Sequence, residues 1–280
     1  MSARPLLAVD GDSFAHRAFH ALPRSIRRSG GEPGNALTGF SSMLLRLWQA
    51  ERPRAVVVGW DTLEVPTYRH EALPSYQSGR EFDPELLEQL GLLPALVESA
   101  GIVCGKAPGF EADDFLAAAV AQEEARDGTT LVATSDRDAF QLAGPNTTIL
   151  QPVRGVSELA RIGPAEVLER YAVEPGQVVD FIALRGDPSD RIPGARGVGA
   201  KTAASLLAQY GSLDQLLEAG RFAAEAEALR TFRHVATLDR TAPLPPIADL
   251  DPDWEAAAAA ARQLGLERVA ARFEEAAAAG

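Results

Sequence analysis

The chain is poor in residues that cross-link, anchor in membranes or titrate near neutrality. Its single cysteine, Cys104, excludes an internal disulfide and fits a reducing cytoplasm. His16, His20, His70 and His234 are the only histidines, and none has metal-ligand spacing with the acids. No Ser-His-Asp or Cys-His arrangement stands out. Lysine occurs only at Lys106 and Lys201. Long hydrophobic runs are missing too: none approaches the roughly 18 residues of a membrane span. The first apolar stretch, Leu6 to Val9, stops at Asp10 and is too short for a signal peptide.

What is present is a sizeable hydrophobic fraction, 46%, in a chain of 280 residues with a formal charge of −12. The size allows one large domain, or one domain with a smaller appendage. The charge argues against nucleic acid only if position is ignored. Basic residues cluster at Arg17, Arg24, Arg27 and Arg28, at Arg69 and Arg80, and at Arg185, Arg191, Arg196 and Lys201. A local basic track is what phosphate binding needs.

Three short apolar runs end in aspartate: Leu6–Asp10, Val56–Asp61 and Leu131–Asp136. Each reads as a strand buried on both faces, the kind found in parallel sheets. Helical spacing between them predicts helices near 12–21, 35–50, 84–100 and 111–126, with further strands at 102–104 and 147–153. This alternation predicts a mostly parallel α/β sheet with helices on both faces. Beyond about 163 the chain reads as helical, with a Pro-rich interruption at 242–252 and Ala-rich filler at 256–261 and 276–279.

Ligand sites of open α/β sheets lie beyond the carboxyl ends of the strands, so the three aspartates are expected in one crevice. Glu111-Ala112-Asp113-Asp114 opens a helix, Asp136-Arg137-Asp138 leaves a strand end, and Asp187 and Asp190 share a turn. Each segment alone reads equally well as a decorated helix start or an ordinary loop. Together, Asp10, Asp61, Glu111, Asp113, Asp114, Asp136, Asp138, Asp187 and Asp190 form a set that would repel itself unless divalent cations neutralised it. Oxygen-only ligands select hard ions such as Mg²⁺ or Mn²⁺. Two such ions about 4 Å apart suit in-line displacement at phosphorus.

Gly197-Val198-Gly199-Ala200-Lys201-Thr202 is not a Walker A loop, because Ala200 precedes the lysine and no strand leads into it. It fits a helix-hairpin-helix, whose glycines let backbone N–H groups approach a DNA phosphate at a helix N-terminus.

With these motifs in order, the chain resembles the 5′-nuclease, or flap endonuclease, family, particularly the 5′→3′ exonuclease domain of bacterial DNA polymerase I. The resemblance rests on Val9-Asp10-Gly11, Phe19-His20-Ala21-Leu22, Trp60-Asp61, Arg69-His70-Glu71, Gly109 through Asp114, Thr134 through Asp138, Gly186 through Asp190 and Gly194 through Thr202. It implies a PIN-like core over 1–162 with an arch or clamp at about 64–90. It also implies a helical region over 163–280 containing the helix-hairpin-helix at about 178–210. Asp10, Asp61, Glu111 and Asp113 are implied to hold one metal group, Asp136, Asp138, Asp187 and Asp190 a second, with Asp114 between them. Arg69 and Arg80 are implied catalytic cations. Arg17, Arg69, Arg80, Gly197, Gly199, Lys201 and Thr202 are implied DNA contacts, with K⁺ at the hairpin. The expected substrate is DNA with a 5′ flap, 5′ overhang or nick, cut by a monomeric, cytoplasmic, nucleoid-associated enzyme of replication and repair. No polymerase domain follows in this sequence, which reads as a stand-alone member.

The departures are local. Gln77 stands where the family usually carries an arch lysine, His16 where an aromatic is usual, Arg191 where asparagine is frequent, and Asp12 adds an acid. A haloacid-dehalogenase-like phosphatase would use Asp10-Gly11-Asp12, but it leaves Asp61 and the Glu111–Asp114 cluster unexplained. A non-catalytic DNA-binding relative would be expected to lack ligands, and none is lacking.

Overall fold

The computed structural model describes residues 4–63, 65–79, 81–154 and 158–279. The chain runs β1 (Leu6–Asp10), α1 (Gly11–Ala21), α2 (Asn35–Glu51), β2 (Ala55–Gly59), α3 (Tyr68–Ala72), α4 (Pro84–Glu98) and β3 (Val103–Gly105). It continues through α5 (Ala112–Glu124), β4 (Thr130–Ala133), β5 (Thr147–Arg154), β6 (Glu158–Ile162), α6 (Pro164–Tyr171), α7 (Val178–Arg185), α8 (Ala200–Tyr210), α9 (Leu213–Glu218), α10 (Ala226–Ala236), α11 (Trp254–Gln263) and α12 (Glu267–Ala279).

The six strands form one sheet in the order β3-β2-β1-β4-β5-β6. All neighbours are parallel except β5 and β6. The expected fold is therefore present, with β6 as an addition. Its sequence, Glu-Leu-Ala-Arg-Ile, is too short and mixed to read as a strand, and pairing with the long β5 supplies the order that its own pattern does not.

Successive residues of each buried strand face opposite layers. Leu6, Ala8, Val57 and Val132 pack against Leu116 and Val120 of α5 and against α7 and α10. Leu7, Val9, Val58 and Ala133 pack against α1, α2 and α4 on the other side. Trp254, Ala257, Ala261 and Phe273 of α11 and α12 join this second layer. The helical half expected over 163–280 thus divides between the two faces, and its last two helices return to the core built by the first half.

The arch is expected at about 64–90, a range that includes the start of α4. Leu86 and Leu90 of α4 are buried in one core layer and Tyr76 in the other, and Thr67 and Arg69 are buried as well, so much of this range packs on the body of the protein. Among the described residues no helix is long and apolar enough to cross a membrane.

Chain order reverses beside β1: β2 and β3 lie to one side and β4 and β5 to the other. That switch point opens a crevice above the carboxyl ends of the strands, and the candidate site occupies it.

Candidate metal centre and substrate cleft

Asp10 ends β1 and caps α1. Its Oδ1 accepts the Ser13 N–H at 2.8 Å and its Oδ2 accepts the Thr134 hydroxyl at 2.6 Å. Thr134 Oγ1 in turn accepts the Asp136 N–H at 3.0 Å, so the ends of β1 and β4 are locked together. Asp61, just beyond β2, accepts the Ala112 N–H on Oδ1 at 2.8 Å, which ties that strand end to the start of α5. The approach is close: a Cβ at Gly59 would collide with the Ala112 carbonyl, and one at Gly11 with the Trp60 ring.

Burial and mutual repulsion dominate these carboxylates. Burial pushes Asp10 up from 3.8 to about 7; the Thr134 and Ser13 hydrogen bonds pull it down, and Asp61 and Asp136 push it further up. Asp113 is raised well above the carboxylate range by burial and by Asp10, Asp136 and Asp61. Asp138 is raised by burial and then by Asp136, Asp190 and Asp187, against Arg185. The acids therefore sort into two sets, Asp10, Asp61 and Asp113 on one side and Asp138, Asp187 and Asp190 on the other. Asp136 acts on both.

Asp136 Oδ1 accepts the Asp138 N–H at 2.8 Å. Asp187 and Asp190 lie on a tight hairpin in which Asp187 and Ile192 exchange both backbone hydrogen bonds at 2.8 Å. Asp187 Oδ2 accepts Arg185 Nη2 at 3.0 Å, and Oδ1 accepts the Ser189 N–H at 2.8 Å. Asp190 Oδ1 accepts Gln77 Nε2 at 2.9 Å.

Glu111 caps α5. Its Oε1 accepts the Thr67 hydroxyl and its Oε2 the Tyr76 hydroxyl, both at 3.0 Å. Burial raises its pKa, with the Arg69 charge opposing.

Two expected site residues, Asp114 and Arg69, are engaged with each other. Asp114 is fully buried and its oxygens are already taken. They accept Arg69 Nη1 and Nη2 at 2.8 and 2.7 Å, the Asp239 N–H at 2.8 Å and the Glu111 N–H at 3.0 Å. Paired through both oxygens with Arg69 and tied to the first residue before α5, Asp114 is placed here as a structural clamp. Its partner Arg69 is 2% exposed, with Nε on the Val235 carbonyl at 3.0 Å and Nη1 3.6 Å from Glu111 Oε2. The clamp joins α3, α5 and the end of α10.

One acid outside the expected ligand set belongs to the cleft. Asp12 is buried, accepts the Asp61 N–H at 2.7 Å and is raised well above its ordinary range by burial, then Asp61. Its i+2 position after Asp10 was the only signal in the sequence.

Among the described residues, no group of three or more His, Cys, Asp or Glu side chains is arranged as a finished metal cage. The donor set nonetheless fits hard divalent cations. All its ligands are oxygen, its members repel one another, and Asp113 Oδ1 is buried without any hydrogen-bond partner. A bound cation would satisfy all three conditions.

The acids line a cavity of about 540 Å³ with Asp10, Asp12, Asp61, Asp113 and Asp136 on its walls. A second cavity of about 330 Å³ adjoins it, lined by Leu63, Val65, Pro66 and Phe82. Leu63 and Val65 are each 39% exposed, an apolar rim beside the carboxylates.

The glycine hairpin lies between α7 and α8. Gly197 adopts a left-handed φ of 74°, and Gly199 precedes the first turn of α8 without a side-chain cap. Gly197, Gly199, Lys201 and Thr202 are all exposed. Arg17 is half-buried on α1. Arg80 lies outside the described residues. The arginines of the first loop do not form a free basic track: Arg24 pairs with Asp83 at 2.7 Å, Arg27 with Glu85 at 2.9 Å, and Arg28 with Glu88.

Residues 5–172 match the family model of the 5′-3′ exonuclease N-terminal resolvase-like domain, and residues 173–256 match that of the 5′-3′ exonuclease C-terminal SAM fold. The chain is 43% identical over 219 residues to DNA polymerase I of Mycobacterium tuberculosis, covering 77% of this chain and 24% of that one. It is 40% identical over 214 residues to the thermostable DNA polymerase I of Thermus thermophilus, covering 76% and 25%. It thus spans about a quarter of the length of those relatives. Among solved structures, T5 5′-exonuclease with bound zinc superposes with a TM-score of 0.71 at 19% identity, over 97% of this chain and 99% of that one. A T5 flap endonuclease in a pseudo-enzyme–product complex with DNA and metal ions gives 0.68 at 20%, over 97% and 98%.

Proposed function

The chain belongs to the 5′-3′ exonuclease family, and from that premise we propose that it is a structure-specific 5′-nuclease. It hydrolyses DNA phosphodiester bonds at 5′ ends and 5′ flaps, working as a monomer in replication and repair. The observation that carries the reading is the pair of linked carboxylate sets at the ends of β2, β1 and β4, with the buried Asp113 Oδ1 left unpartnered.

Asp10, Asp61, Glu111 and Asp113 would hold one Mg²⁺ or Mn²⁺, and Asp136, Asp138, Asp187 and Asp190 a second. Bound there, such ions lower the pKa of an attacking water and neutralise charge on the leaving oxygen. The protein's own residues set the stage. Thr134 and Ser13 fix both oxygens of Asp10. Ala112 fixes one oxygen of Asp61, and the Asp114–Arg69 clamp fixes the start of α5. The exposed backbone of Gly197–Gly199, with Lys201 and Thr202, grips a duplex phosphate, and K⁺ at this hairpin would strengthen the contact. Arg17 and Arg80 are the remaining proposed DNA contacts. The apolar rim of Leu63 and Val65, with Phe82, faces the unpaired 5′ strand.

The test is cleavage mapping on flapped duplexes labelled at either end. Cutting near the junction of a 5′ flap with Mg²⁺ or Mn²⁺, none in chelator and none of a 3′ flap is the expected pattern. Equal cutting of both flaps, or full activity in chelator, overturns the reading.

A further inference from the structure

The segment Tyr76–Gly79 is fastened to the turn that carries Asp187 and Asp190. The Gln77 backbone N–H donates to the Asp190 carbonyl at 3.1 Å, and its side-chain Nε2 donates to Asp190 Oδ1 at 2.9 Å. The same Nε2 donates to the Tyr76 hydroxyl at 2.8 Å, which itself donates to Glu111 Oε2 at 3.0 Å. From the opposite side, Arg191 Nη1 donates to Ser78 Oγ at 3.0 Å. A hydrogen-bonded path therefore crosses the cleft from Glu111, in the first carboxylate set, to Asp190, in the second.

This clasp is held under strain. Gln77 and Arg191 both adopt left-handed backbone conformations, with φ of 47° and 56°. Non-glycine residues adopt that region at a cost, which the surrounding contacts must offset. Loss of the Asp190 contact removes one of those offsets. With Asp61, Phe82 and Glu111, Gln77 lines both the 540 Å³ and the 330 Å³ cavities, at the boundary between the acidic cleft and the apolar rim.

Resting on the two-cation reading above, we propose that Gln77 is a positioning residue and a metal-linked clasp. Without cation its amide holds Asp190 Oδ1 at 2.9 Å among the other acids of that set. A divalent ion on the Asp138, Asp187 and Asp190 set that approaches Asp190 Oδ1 from the Gln77 side competes with the amide N–H for the lone pair directed there. Cation loading then frees the Gln77 side chain and loosens Gln77–Gly79, widening the passage between the two cavities beside the acids, while Tyr76 stays packed in the core. The Gln77 carboxamide suits this role because it is neutral: it satisfies Asp190 without opposing an incoming cation by charge.

The test uses Mn²⁺ alone, with no DNA. Mn²⁺ binding by titration calorimetry and hydrogen exchange of residues 77–79 are measured for the wild type, Gln77→Leu and Ser78→Ala, each checked for native circular dichroism. Wild type should show protected 77–79 amides in chelator, with at least fivefold faster exchange at saturating Mn²⁺. Gln77→Leu should bind the weaker Mn²⁺ about tenfold more tightly, since no hydrogen bond to a charged acceptor is given up. Its 77–79 exchange should no longer respond to the ion. Ser78→Ala should exchange faster in chelator yet keep wild-type Mn²⁺ affinity, which separates a loosened segment from loss of the Gln77–Asp190 bond. Unchanged affinity in a folded Gln77→Leu, or wild-type exchange indifferent to Mn²⁺, overturns the proposal. A protein that shows the Mn²⁺ response but cuts no 5′ flap refutes the nuclease reading and leaves the clasp standing. One that cuts flaps without the Mn²⁺ response refutes the clasp alone.

Discussion

Replacing Asp10 by asparagine should stabilise the cation-free protein, and by more as pH rises. Asp10 is 4% exposed, and burial with its acidic neighbours raises it from 3.8 to about 7. The native state therefore binds this proton more tightly than the unfolded chain does. Wherever the native state binds more protons, stability falls as pH rises. In chelator, the wild type should lose about 1.4 kcal/mol per pH unit from this group between its unfolded pKa and pH 7, and nothing more above. The total is about 4 kcal/mol. The asparagine side chain does not titrate, and it keeps both partners: its carbonyl accepts the Ser13 N–H, and its amide donates to Thr134 Oγ1. Asp10→Asn and wild type should thus be equally stable near pH 4 and differ by about 4 kcal/mol at pH 8. Urea denaturation in chelator at half-unit pH steps measures this. Saturating Mg²⁺ should remove the wild-type slope and leave the variant little changed, because the ion selects the ionised carboxylate. Parallel stability profiles for the two proteins from pH 4 to 8 would refute the reasoning.

The other predictions separate clamp, ligand and grip. Arg69→Met should cost about 3 kcal/mol or more, because it strands the fully buried Asp114; DNA affinity of the folded fraction should not change, and a selective loss of affinity in a fully stable variant would restore Arg69 as a DNA contact. Asp136→Ala should abolish flap cleavage while leaving cation-free stability unchanged or higher, since it removes a charge that raises Asp10, Asp113 and Asp138; unfolding of this variant in chelator would contradict that. Lys201→Ala should weaken binding to all duplex sequences alike and reduce the salt slope by about one unit, measured by fluorescence anisotropy across a salt series.

The sequence by itself determined the sheet and the place of the site. Runs such as Leu6–Val9 and Val56–Val58, buried on both faces, fit only a covered parallel sheet, and an aspartate at the end of such a run must emerge at the carboxyl edge. The glycine hairpin was legible for a similar reason: its backbone chemistry is local, and Gly197 needs its left-handed φ whatever surrounds it. Tertiary structure decided what each acid does. Asp113 and Asp114 are neighbours in the chain, but one helical residue turns the side chain by about 100°. That rotation leaves Asp113 Oδ1 unpartnered beside the acids and sends Asp114 into Arg69, which arrives from α3, 45 positions away. The first-loop arginines looked like a phosphate track until α4 brought Asp83, Glu85 and Glu88 against them. Gln77 looked like a lost charge until folding placed it 2.9 Å from Asp190, 113 positions distant. Pattern and periodicity report which face a residue takes within its own element. Which charge another element delivers to that face is settled only when the elements pack.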